Sequence, residues 1–183
     1  MLIQSLVWTV GCYQIVPRNY AQRIEPGGTI EDHFLKMGPY KVARTDIDYS
    51  GKEEKVYAIW YPENIGELDR KFPLIIVNGG KREKASLCES LFEHLASWGF
   101  IVAGMEQDLL WEASEAGMIL KRMRQLHTVQ ECEYLSANPF YEKVDLDRIG
   151  NIWSCSGRGW KHQQHCQGGE WGYVQSCFYQ QSC

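Results

Sequence analysis

The side chains best equipped for chemistry crowd into the C-terminal stretch of this sequence. Cys155, His162, His165 and Cys166 stand there, with Cys177 and Cys183 beyond. Thiolate and imidazole are the ligands that zinc favours, and structural zinc sites usually pair C-x2–4-C with H-x3–5-H. The run His162-x-x-His165-Cys166 has neither spacing, so no metal site and no other cofactor is expected. Seven cysteines are an odd number, which argues against a closed set of intramolecular disulfides. Cys12, Cys88 and Cys132 are expected as ordinary reduced thiols. The other histidines, His33, His94 and His127, are scattered. His94 falls on the outer side of a helical pattern and is expected in solvent.

The elements that would have to hold these groups are missing locally. From residue 152 onward the chain has no Leu, Ala, Asp, Pro, Thr or Met, and its only aliphatic side chains are Ile152 and Val174. Six Gln, four Cys and three Trp fill this stretch. No period of 2 or 3.6 runs through it, so no amphipathic element is expected. Residues 153–183 read as an irregular tail.

Upstream the pattern is regular. Residues 1–37 carry little more than a turn signal at Pro26-Gly27-Gly28 and read as an N-terminal arm. Residues 40–48 and 55–61 predict two strands joined by a hairpin turn at Ser50-Gly51-Lys52. Pro73-Leu74-Ile75-Ile76-Val77 and Phe100-Ile101-Val102-Ala103-Gly104 are short apolar runs, as in parallel strands covered on both faces. Between them Ser86 and Glu89 form an S-x-x-E capping box, and Leu87, Leu91, Phe92, Leu95 and Trp98 mark one helical face. Gly99 stands where that helix should close. A second helix over residues 112–126 turns Ala116, Ile119, Leu120, Met123 and Leu126 inward. A third strand is predicted at residues 148–152. Such alternation predicts a parallel sheet with right-handed crossovers, spanning residues 38–152.

The composition suits one ordinary core, with 183 residues, 44% hydrophobic and 23% charged. A net charge of −4 and scattered Lys and Arg give no footprint for nucleic acid or an anionic membrane. No run approaches the roughly 18 or more apolar residues of a membrane span. Residues 1–12 are apolar but lack the cationic start of a secretory signal. Thr9-Val10-Gly11-Cys12 only faintly resembles a lipoprotein cleavage box. The sequence specifies no compartment, and the missing signal favours the cytoplasm.

Four segments together carry a family likeness. They are Ala58-Ile59-Trp60-Tyr61-Pro62, the run from Pro73 to Gly80, His94-Leu95-Ala96-Ser97-Trp98-Gly99-Phe100-Ile101-Val102, and Val144-Asp145-Leu146-Asp147-Arg148-Ile149-Gly150. Over roughly residues 38–150 the chain resembles the α/β-hydrolase superfamily, in the branch of chlorophyllases, platelet-activating-factor acetylhydrolases and cutinase-like polyester hydrolases. The resemblance implies an α/β fold: the N-terminal half of the hydrolase sheet, a hairpin plus parallel strands with flanking helices, then an irregular C-terminal tail. It also implies acyl transfer on a small-molecule ester. In that family a Ser attacks the carbonyl, a His serves as base, an acid orients it, and backbone N–H groups hold the oxyanion. Carried onto this sequence, the oxyanion loop corresponds to Asn78, Gly79 and Gly80. The nucleophile position falls on Cys155, with Ser156 behind it as the second N–H.

The likeness breaks at the nucleophile elbow. So tight a bend accepts only small neighbours, yet Trp153 replaces the first glycine and Arg158 the last. A Cys nucleophile is chemically reasonable, and dienelactone hydrolases resemble that arrangement; these neighbours nevertheless make Cys155 an unreactive thiol. The acid and histidine belong to later strands that this sequence does not supply, so no triad is expected. Read one nucleotide out of phase, codons 153–158 permit Gly-His-x-Gln-Gly-Gly in register with the elbow. The junction of Cys155 and Ser156 then encodes only Ala or Val, never Ser. The expectation is an α/β-hydrolase-like chain related to carboxylic ester hydrolases, inactive, with a frameshifted tail. The alternatives are a non-catalytic fragment with no function of its own and a Cys/His metal-binding tail. One side of the strand at residues 148–152 should be unpaired, which predicts poor solubility.

Overall fold

A computed structural model describes residues 18–19, 21–49, 55–78, 84–106, 114–132, 135–154 and 174–180. Its strands are β1 (Val42–Tyr49), β2 (Lys55–Pro62), β3 (Phe72–Asn78), β4 (Ile101–Met105), β5 (Val144–Ser154) and β6 (Val174–Gln180). They form one mixed sheet of order β1-β2-β4-β3-β5-β6. β2 is antiparallel to both its neighbours, and every other pairing is parallel. Helices α1 (Thr29–Leu35), α2 (Glu89–Ser97) and α3 (Ser114–Thr128) complete the α/β arrangement. No helix among the described residues is long and apolar enough to cross a membrane.

The alternation of side chains along each strand builds a core on both faces of the sheet. Tyr57 and Ile59 of β2, Leu74 and Ile76 of β3, and Ile101 and Ala103 of β4 turn to one face. There they meet α3 through Ala116, Ile119, Leu120, Met123 and Leu126, all five buried as the helical spacing predicts. The Ile, Leu and Met side chains among them contribute roughly 1.5–3 kcal/mol each on burial. Ala58 and Trp60, Ile75 and Val77, and Val102 turn to the other face and meet Phe92 and Ala96 of α2. Gly104 sits beneath the 3-10 turn Ala85–Cys88, where an added Cβ would come within 2.8 Å of the Ala85 Cβ.

The end of α2 follows its sequence signal. Gly99 adopts φ 91°, donates to the Ala96 carbonyl at 2.9 Å, and is followed by Phe100 donating to Leu95 at 3.3 Å. This is a Schellman closure, which a residue in the left-handed region permits. The start of α2 does not follow its signal. The helix begins at Glu89 with Cys88 as N-cap and no side-chain cap. Ser86 Oγ donates instead to Glu106 at 2.8 Å, and Glu89 pairs with Arg44 at 3.3 Å. Long-range charged partners outcompete the local capping box, which is worth about 1 kcal/mol.

Two more features depart from expectation. β5 starts at Val144, earlier than the predicted 148, and is interrupted. Asp145 pairs with Pro73 and Ile149 with Leu74, leaving Leu146, Asp147 and Arg148 as an excursion. Asp145 holds it, accepting the Asp147 N–H at 3.0 Å and Arg148 Nε at 2.6 Å. Within the stretch expected to be irregular, Val174–Gln180 is extended and pairs parallel with β5. β5 is therefore paired on both sides, and the expectation of a bare edge at residues 148–152 is overturned. Ladder formation needs only unpaired backbone groups, so a segment without side-chain periodicity can satisfy it. Cys132 is a free thiol; the turn at residues 50–52 and Cys12 lie outside the described residues.

Candidate functional site

β3 lies between β4 and β5. The chain leaves β3, returns through α2 into β4, then passes back through α3 to β5 on the far side of β3. The direction of winding reverses there, and α2 and α3 cover opposite faces. In open α/β sheets such a reversal opens a crevice beyond the carboxyl ends of the strands, where ligands bind. Asn78, the last residue of β3, has Trp153 of β5 as its Cα partner at this edge. Gly79, Gly80, Cys155 and Ser156 themselves lie outside the described residues, as do His162, His165, Cys166 and Cys183.

The same end of the sheet carries a charged clamp that the sequence did not announce. Arg44 of β1 donates to Asp46 Oδ1 at 2.9 Å, to Glu89 Oε1 at 3.3 Å and to Glu106 Oε1 at 3.3 Å. Its guanidinium lies 4.9 Å from the centroid of the buried Trp60 ring. Burial works against the Arg44 charge, but Asp46, Glu106 and Glu89 outweigh it and hold the guanidinium protonated above its usual range. Glu106, one residue past β4, also accepts the Ser86 hydroxyl at 2.8 Å. A carboxylate held this way orients its neighbours and is not a free base. The i, i+2 pair Arg44 and Asp46 on one face of a strand was the only readable hint; the partners 45 and 62 positions away left none.

Among the described residues no histidine approaches this end. His33 stacks edge-on against Phe34 and Trp98, with ring centroids 5.0 Å away in each case. His94 is buried, not in solvent as its helical position suggested. Its Nε2 is 2.7 Å from the Phe34 carbonyl, because the segment carrying α1 folds over that face of α2. Ser97 secures the same segment, accepting the Gly38 N–H at Oγ (2.8 Å) and the Tyr40 N–H at its carbonyl (3.1 Å).

His127 closes α3 at the opposite end of the sheet. With Asp69, Arg70, Lys71, Glu142 and Lys143 it lines an open cavity of about 350 Å³. Burial, and then the charge of Lys71, lower the His127 pKa, with Glu142 partly opposing them. Its Nδ1 is buried and has no hydrogen-bond partner among the described residues. Among those residues no group of three or more His, Cys, Asp or Glu could hold a metal ion.

No protein-family model matches this chain, and no curated protein matches it.

Proposed function

We infer that this chain is an α/β-hydrolase-like protein related to carboxylic ester hydrolases that keeps the family's crevice and lacks its catalytic machinery. The carrying observation is the reversal of winding between β3 and β5, which aligns Asn78 with Trp153 at the carboxyl ends of the strands. A lone reversed strand, β2, within an otherwise parallel set also supports the reading. A crevice there suits a small ester, whose carbonyl oxygen would face backbone N–H groups following β3, from Asn78 to Gly80.

Loss of catalysis rests on residue types. Cys155 stands where the family places its nucleophile, between Trp153 and Arg158 where that elbow carries glycines. An indole and a guanidinium have no room beside so tight a bend. The three described histidines lie away from the crevice and offer no base to activate the thiol.

The test is hydrolysis of p-nitrophenyl acetate and butyrate by the full chain beside Cys155→Ala. Equal rates at the level of background are expected; a burst that depends on Cys155 would overturn the assignment.

The composition of residues 153–183 favours a second reading, in which this stretch is translated out of frame. Sequencing the gene across codon 151 decides it. A shifted frame that encodes further strands, an acid and a histidine supports the reading, and a shifted frame closed by early stop codons ends it.

A further inference from the structure

The end of the sheet opposite the crevice gathers positive charge. Asp69, Arg70 and Lys71 precede β3, Glu142 and Lys143 precede β5, and His127 closes α3, so three chain segments line the cavity of about 350 Å³. That volume is on the scale of a small-ligand pocket. Backbone bonds fix the segments to one another. The Phe72 N–H donates to the Lys143 carbonyl at 2.7 Å, and the Glu142 N–H donates to the His127 carbonyl at 2.9 Å. Glu142 does so at φ 57°, the only non-glycine residue in the left-handed region among those described.

Among the described residues no ion pair joins Arg70, Lys71 or Lys143 to a carboxylate. Arg70 lies instead over the rings of Phe72 and Tyr40, 4.5 and 5.5 Å from their centroids. Stacking through the face of a guanidinium leaves the N–H donors in its plane. Lys143 Nζ gives one proton to the Leu68 carbonyl at 2.7 Å and keeps two. Lys71 is exposed. Asp69 and Glu142 share the lining, and three cations against two carboxylates leave one positive charge in excess.

We propose that this cavity binds a tetrahedral dianion of the phosphate or sulfate type through Arg70, Lys71 and Lys143, and that His127 takes up a proton as the anion enters. Three cations with free donors suit a group with four oxygens and two charges better than a carboxylate with two oxygens. Burial, and then Lys71, hold the His127 pKa below its ordinary value, and Lys71 outweighs the opposing Glu142. The buried Nδ1 meets no acceptor among the described residues, so the protein by itself does little to favour the imidazolium. A dianion reverses the sign of the field at the ring and favours the proton there. The coupling is reciprocal: what the anion adds to the proton affinity of His127, the proton adds to the affinity for the anion.

The test follows the His127 ring protons of the full chain by NMR, assigned by their loss in His127→Gln, in sodium sulfate and in sodium chloride at equal ionic strength. Sulfate serves as the probe because it stays doubly charged through the histidine range. His127 should titrate at least about half a pH unit higher in sulfate, and sulfate should bind at least about threefold tighter below that pKa than above it. Lys71→Met keeps the aliphatic stem and should weaken sulfate binding at least about threefold. Asp69→Asn removes a carboxylate from the lining and should tighten binding about twofold, a gain that a damaged fold does not produce. Inorganic phosphate and glycerol phosphate should each displace sulfate, the tighter of the two marking the free ion or the monoester as the form bound. A His127 titration indifferent to sulfate, full binding in Lys71→Met, unchanged or weaker binding in Asp69→Asn, or failure of both phosphates to compete would each overturn the proposal.

Discussion

The Gly38 backbone lies pressed against the Ser97 peptide: its N–H donates to Ser97 Oγ at 2.8 Å, and a Cβ at position 38 would overlap the Ser97 carbonyl. Two segments separated by a strand hairpin, β3 and most of α2 are locked here, backbone to backbone. Gly38→Ala is expected to destabilise the fold by about 1–3 kcal/mol, the usual range for forcing a methyl group into filled space. Gly66→Ala is the control, because nothing lies within 4 Å of a Cβ there. Urea unfolding of the two variants should separate them by most of that difference; coincident midpoints would refute the contact.

Arg44 is the sole cation facing Glu106 and Asp46 in the described clamp, and its side chain is only 30% exposed. Arg44→Met keeps the bulk over Trp60 and leaves three carboxylates near one another. A loss of about 1–2 kcal/mol is expected, between the values for exposed and buried pairs. In about 1 M salt, where the screening length falls to roughly 3 Å, the gap to the parent should narrow. Arg44→Lys should recover only part of the loss, since an ammonium cannot present the fork that spans three acceptors.

His127 makes stability depend on pH in a defined direction. Its folded pKa lies below the ordinary value of 6.5, so the unfolded chain takes up the proton first as pH falls. Stability is then complete above about pH 6.5 and declines as acidity increases through the folded pKa. Urea midpoints measured from pH 7.5 down to about pH 5.5 should drop in the parent and flatten in His127→Gln. An identical slope in both proteins would refute the assignment.

Asp145 acts at lower pH. Burial alone would raise its pKa, but Arg148 and the N–H groups of Asp147 and Arg148 outweigh it and hold the carboxyl below the usual range. Its contribution is present above the unfolded value near 3.9 and is lost as pH falls through the folded value. Asp145→Asn should cost about 1–2 kcal/mol at neutral pH, the scale of a charge-assisted hydrogen bond. The cost should vanish in acid.

Local patterns reached the structure with little loss. The five inward residues of α3, the Gly99 closure of α2 and the apolar runs of β3 and β4 depend on neighbours within one or two turns, and sequence periodicity records those directly. The errors arose wherever a distant partner decides the outcome. Ser86 and Glu89 look like a capping box until Glu106 and Arg44 are brought beside them. His94 looks exposed until the segment carrying α1 folds across α2. β6 has no amphipathic signature because backbone pairing with β5, not side-chain patterning, defines it. At the candidate site the sequence placed the end of β3 within one residue of Asn78 but stopped β5 at 152, two residues short of Ser154. It could not reveal the Arg44 clamp beside them, whose distant carboxylates come from the first residue of α2 and the residue after β4.

The placement of β3 sets a schedule for biosynthesis. Its two flanking strands are both made after it, and its pairing with β5, which joins Phe72 to Val144, waits for nearly the whole described chain. While a ribosome extends the polypeptide, Leu74, Ile75, Ile76 and Val77 emerge as an apolar ribbon with neither neighbour yet available. The hairpin of β1 and β2 can close early, but the centre of the sheet cannot. Chaperone dependence during synthesis should therefore follow the interval before β4 and β5 appear more closely than the stability of the finished protein.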